Sequence, residues 1–121
     1  MTERDYVAVN KGEDYIRLWF YNEMDKPFAI GEKMYEINDA AYMNGYNWDA
    51  IFNYYLEKHA PELLDGLDSD PEAGSYVALY KSSPENEEKA ERFAAIIRNL
   101  IENEEELYRI LREEGDDIAW D

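Results

Sequence analysis

Apolar residues recur along the chain with two different periods, and the changes of period mark the elements. Residues 5–11 and 15–21 are rich in β-branched and aromatic side chains and read as strands, with Gly12-Glu13-Asp14 as the turn between them. Together they predict an opening hairpin. In the second run Ile16, Leu18 and Phe20 alternate with Tyr15, Arg17, Trp19 and Tyr21. Both faces carry bulk, which predicts a strand covered on one face and partly on the other. Within 27–41, Ile30, Met34, Ile37 and Ala41 follow at helical spacing and predict a helix of about ten residues. Gly31 works against it. Residues 42–46 read as a loop centred on Asn44-Gly45.

Residues 47–60 predict a second helix. Asn47 suits its N-cap, and Asp49 suits the positive end of the helix dipole. Trp48, Ile51, Phe52, Tyr55, Leu56 and His59 form one stripe, and Pro61 marks the far end. Residues 67–70 suggest a short strand, Asp70-Pro71-Glu72-Ala73-Gly74 a turn, and 75–81 a further strand, so a second hairpin is expected. Residues 84–102 are helical, with Ser83 as cap, Pro84 in first position, and Ala90, Phe93, Ala94, Ile97 and Ile101 on one face. Asn103-Glu104-Glu105-Glu106 has capping-box spacing, so a new helix starts there, with Leu107, Ile110 and Leu111 inward. One long helix through both is the alternative. Trp120 in the tail is expected to be pinned. The order gives an α+β fold: a small, mainly antiparallel sheet of three or four strands packed with three or four helices.

Composition narrows the function. The chain has 121 residues and reads as one domain. It carries 12 Lys+Arg against 29 Asp+Glu, a formal charge of −17. Such a surface repels nucleic-acid phosphate and anionic membrane, so neither is an expected partner. A basic protein or a cation is favoured. The aromatic content of 15% supplies a core and argues against disorder. With no cysteine, disulfides, thiolate metal sites and a Cys nucleophile are excluded. The start Met1-Thr2-Glu3-Arg4-Asp5 lacks the basic and apolar regions of a secretion signal, and no apolar run is long enough to span a bilayer.

Catalytic patterns are missing. His59 is the one histidine and lies on the inward stripe, where a core or helix-end role is simpler than a base. No serine sits in a nucleophile elbow, and no phosphate-binding glycine loop occurs. Asp65, Asp68, Asp70 and Glu72 are the best candidates for a cation site. Read from Asp68, however, the calcium-loop pattern fails at Ala73 and Leu79. An acid loop for protein contact is preferred, and no cofactor is expected. Eleven tyrosines exceed the needs of a core this size. Tyrosine suits interfaces because it offers area and a polar tip at low entropic cost. Tyr42 and Tyr46, in a loop, are the candidates; a homodimer would use the same excess equally well.

Three motifs follow in order: Asn44-Gly45-Tyr46-Asn47-Trp48, Ala60-Pro61-Glu62-Leu63 after an apolar helix, and Asp70-Pro71-Glu72-Ala73-Gly74 before an apolar strand. This order resembles the immunity protein 51 family of bacterial polymorphic toxin systems. Met43 and Asn47 depart from the family's Gly-Asn-Gly-Tyr-Asp-Trp-like first motif, and Ser75-Tyr76 from its Met-Phe-like pair. The resemblance implies a cytoplasmic, non-enzymatic antidote that binds and neutralises a cognate toxin domain. It carries no catalytic site. Joined to the charge and the tyrosines, it makes Tyr42, Asn44, Tyr46, Asp65, Asp68, Asp70 and Glu72 the candidate toxin contacts. The partner expected is a basic toxin domain; a nuclease would meet the acidic face in place of phosphate. An acidic adaptor unrelated to toxins is the alternative.

Overall fold

Alternation of apolar and polar residues along 15–20 builds one of the two central strands of the sheet. In the computed structural model, which describes residues 6–72 and 74–120, strands β1 (Val7–Lys11) and β2 (Tyr15–Phe20) form the expected hairpin. Position 5 of the first expected strand lies outside the described residues. Strand β3 (Asp68–Ser69) is two residues long, and β4 (Tyr76–Lys81) pairs with both β2 and β3. The sheet has four strands in the order β1-β2-β4-β3, all antiparallel. Leu18 of β2 lies between Val9 and Ala78, and Phe20 between Val7 and Tyr76. Ile16, Leu18 and Phe20 are wholly buried, while Trp19 on the other face is half-buried and stacks on Tyr21 at 6.2 Å.

Four α-helices accompany the sheet: α1 (Asp25–Ile37), α2 (Gly45–His59), α3 (Pro84–Glu102) and α4 (Glu104–Glu114). The core forms where α2 and α3 meet the covered sheet face. Phe52 is its hub, with its ring 5.4 Å from Phe20, 5.5 Å from Trp48, 5.2 Å from Tyr76 and 5.9 Å from Phe93. Most of these contacts are edge-to-face, the arrangement favoured by the ring quadrupole. Beside it, Ile16, Tyr80 and Ala90 form a smaller cluster, where the Tyr80 hydroxyl donates to Leu63 O at 2.6 Å.

Local chemistry explains where the elements depart from the periodic pattern. Helix α1 ends at Ile37, not near Ala41. Asn38 turns extended, and its side chain accepts the Ala40 N–H at 3.0 Å, which offers the backbone an alternative to the helix. Ile30 and Met34 are buried as expected, Ile37 is exposed, and Ala41 is buried from outside the helix. The cap of α2 is Asn44, not Asn47: the Asn44 side chain accepts the Asn47 N–H at 3.0 Å. Gly45 and Tyr46 therefore open the helix instead of closing a loop, and Asp49 falls beyond the first turn. His59 is exposed, contrary to the stripe, as are Glu57 and Lys58 before it, and the chain returns to the core at Ala60; the His59 ring packs on Tyr55 at 4.4 Å.

The acidic C-terminal half contains two helices. Asn103 breaks them with φ −118° and ψ 62°. No capping box forms there: the Asn103 amide donates back to Asn99, and Glu106 binds Arg109 instead. Ser83 caps α3 as expected, accepting from Asn86 N–H at 3.0 Å. The tail is pinned by the Trp120 indole N–H, which donates to Gly115 O at 3.2 Å.

Candidate functional site

Helix α1 has two unlike faces. Pro27, Ile30 and Met34 point into the protein. Phe28, Gly31, Glu32, Tyr35 and Glu36 share the other side, at spacings that place them in one stripe. The chain returns past this stripe through Tyr42, Met43 and Asn44 before entering α2. Between the two lies a groove of about 490 Å³, to whose lining Asn22 and Glu23 also contribute.

Gly31 makes the close return possible. A Cβ there would lie 3.0 Å from Met43 Cβ, so a larger residue would push the returning segment away. The glycine that weakened the helix in the sequence thus has a packing reason. The groove wall is aromatic and open to solvent: Phe28 is 51% exposed, Tyr35 48% and Tyr42 68%. The Tyr35 and Tyr42 rings meet edge to face at 6.1 Å. Glu23, Glu32 and Glu36 also line the groove, and none of the three forms an ion pair among the described residues.

Elsewhere several basic side chains, among them Lys26, Lys58, Arg92 and Arg109, are paired with carboxylates. Lys26 reaches Glu102 at 2.9 Å and Arg92 reaches Glu62 at 2.6 Å. Hydrogen bonds from Lys26 and Tyr6 hold the Glu102 carboxyl below its ordinary range, and Arg92 does the same for Glu62. Glu114 accepts from Tyr54, Lys58 and Arg109, and these bonds, Lys58 first and Arg109 last, lower its carboxyl to about 2. These pairs tie elements together.

The expected contact residues do not converge on one point. Tyr42 and Asn44 line the groove. Tyr46 lies at a separate hollow of about 170 Å³, with Asp49, Asn53, Tyr54 and Glu57. Asp65 faces Lys89, whose ammonium donates to Asp65 O at 3.1 Å. Asp68 stands opposite Leu79 on the short edge strand, and the Asp70 N–H donates to Val77 O. Glu72 meets the first motif through its backbone, which packs on Gly45. No group of three metal-ligating side chains forms among the described residues. Phe28, Glu32, Tyr35 and Glu36 were missed as a group. Their spacing at i, i+4, i+7 and i+8 on the polar side of α1 was the available signal.

These features define an acidic α+β protein with an aromatic, carboxylate-lined groove beside its first helix. Comparison with known families then places it. The model of the immunity protein 51 family matches residues 8–116, and the chain belongs to that family. No curated protein and no solved structure matches it. No helix among the described residues is long and apolar enough to cross a membrane.

Proposed function

We propose that this chain is a non-enzymatic antidote that binds a basic toxin domain in the cytoplasm and occludes its working surface. The family match over residues 8–116 carries the reading. The charge of −17 supports it, because a surface of one sign steers an oppositely charged partner and raises the association rate. Buried aromatic anchors then set the lifetime of such a complex. Against a nuclease, the carboxylates occupy the place of substrate phosphate.

The test is capture by the full-length tagged protein from lysate of its native organism, followed by co-expression with the captured chain. The expected result is a basic, toxic chain retained through a wash at ~0.5 M salt, where screening acts within a few Å. Its toxicity is relieved when the two are co-expressed. Association slows steeply with salt. Retention of a non-toxic partner, with no rescue of growth, would replace the antidote by an adaptor.

A further inference from the structure

We infer that the groove between α1 and the 42–44 segment is a receptor for an arginine side chain carried on a basic segment of the partner protein. The inference rests on the antidote reading for the identity of the partner, but not for the chemistry of the groove.

Two independent properties of the groove specify the ligand. The first is its aromatic wall. Six large hydrophobic residues are exposed among the described residues, and Phe28, Tyr35 and Tyr42 bring three of them to this groove. An exposed aromatic wall suits either an apolar side chain or a cation seated over ring faces. The second property decides between them. Glu23, Glu32 and Glu36 line the same space, without an ion pair among the described residues and with no Lys or Arg lining the groove. An apolar occupant would desolvate these carboxylates and leave them uncompensated. A cation satisfies both the rings and the carboxylates.

Arginine fits better than lysine. Its planar guanidinium can stack on a tyrosine ring while its edge donates two parallel hydrogen bonds to a carboxylate. Glu32 and Glu36 are one helical turn apart and flank Tyr35, so carboxylate acceptors for the guanidinium edge and a ring face lie on one side of α1. Gly31 admits Met43 close to the helix, and Tyr42 beside it sets its ring edge to face with Tyr35 in the same groove. The occupant that satisfies both walls is therefore an arginine on a basic segment of the partner.

The experiment must separate this groove from the general attraction of a −17 protein for any cation. One variant that keeps the net charge, and two that change it equally at different places, do so. The full-length protein, labelled with ¹⁵N, is titrated with hexa-arginine, hexa-lysine and an uncharged Gly-Ser peptide of equal length. The expected shifts centre on residues 28–36 and 42–44, with hexa-arginine binding tighter than hexa-lysine. Tyr35→Ala combined with Tyr42→Ala weakens hexa-arginine by about fivefold or more without changing net charge. Glu32→Gln with Glu36→Gln weakens it comparably, whereas Glu13→Gln with Glu88→Gln, equally exposed and without an ion pair among the described residues, has less than a twofold effect. Circular dichroism confirms that each variant is folded.

Equal weakening by the two glutamine pairs, or no effect of the two alanines, would overturn the groove. The captured toxin gives the second arm. If it binds the wild-type protein and the Tyr35/Tyr42 variant equally, the groove assignment fails while the antidote reading stands. If no toxin is captured but the peptide pattern holds, the groove is right and the partner is of another kind.

Discussion

Gly45 is backed directly onto the carbonyl of Glu72. A Cβ at Gly45 would lie 1.8 Å from Glu72 O and 2.3 Å from Ser75 O, closer than any real contact allows. The first and third sequence motifs are thus two halves of one joint. Asn44 caps the helix, Gly45 admits the backbone of Glu72 and Ser75, Asn47 is buried and Trp48 enters the core; Tyr46 alone of the five is exposed. The Glu72 N–H donates back across the turn to Ser75 O at 2.8 Å, which holds both carbonyls in place.

The joint makes Gly45→Ala destabilising although alanine is the better helix former. The obstacle is backbone on both sides and cannot rotate away. The expected loss lies at or above the upper end of the ~1–3 kcal/mol typical of overpacking. Gly74→Ala is the control. Its Cβ would meet the Glu23 carboxylate at 2.7 Å, the far end of a flexible side chain. Urea denaturation of the two variants should separate them clearly, and equal midpoints would refute the joint.

Capping gives a second separation. Asn44 and Asn47 are the same residue type three positions apart, and the structure gives the cap to Asn44. Asn44→Ala should cost about 1 kcal/mol. The Asn47 N–H would be left without the side-chain oxygen that accepts it. Asn44→Ser or Asn44→Asp should restore most of the loss in thermal melts, since either can cap. A loss that neither substitution recovers would show that Asn44 acts through something other than its cap.

Much of the architecture could be read from period and turn chemistry. The opening hairpin, the fourth strand and Ser83 as cap follow from local residue types, whereas the choice between one helix and two at Asn103 stays open in the sequence, and the break forms without the capping box that suggests it. The errors also had local causes. Asn-Gly was read as a turn because glycine commonly supplies a left-handed backbone, yet Gly45 is helical and is needed for its missing side chain. His59 fits the stripe of α2, but it falls in the last turn, where 57–59 are exposed and the core is rejoined only at Ala60. The groove was harder. Tyr42 was singled out by its loop position. Phe28, Glu32 and Tyr35 gain a role only when the 42–44 segment folds back over Gly31, a contact between elements that periodicity within one helix does not encode.

Three buried phenols set the alkaline limit. Burial pushes Tyr80 up to about 12 from its ordinary 10.0, against a small pull from Arg92. Burial first, then Glu104 and Glu105, raises Tyr108 to about 12. Tyr76, fully buried, is raised well above its ordinary value by burial and then by Asp49 and Tyr80. Each folded-state value exceeds the unfolded one, so the unfolded chain releases these protons first. Their stabilising effect is complete below pH 10.0 and falls away as pH rises towards about 12. Denaturation midpoints should drop across that window. Tyr80→Phe removes one titrating group but orphans the Leu63 carbonyl it donates to, so it should lower stability at pH 7 by about 1–3 kcal/mol and flatten the alkaline fall. A flat profile in the wild-type protein would contradict the burial of all three.

Glu114 sets the acid side. It joins α4 to α2 by accepting from Lys58 and Tyr54, and also accepts from Arg109 in its own helix. These donors lower its carboxyl from an ordinary 4.5 to about 2 in the folded state. The unfolded chain therefore takes up the proton first as pH falls. The contribution of Glu114 is complete above pH 4.5 and disappears progressively towards about 2. Glu114→Gln keeps the shape and removes the charge. The variant should be less stable than the wild type at pH 7, and the two stability curves should converge as pH falls through that interval. High salt should narrow the gap at pH 7, because the cluster is partly open to solvent. A gap that persists unchanged at the acid end would mean that Glu114 holds α2 and α4 together by packing, not by its charge.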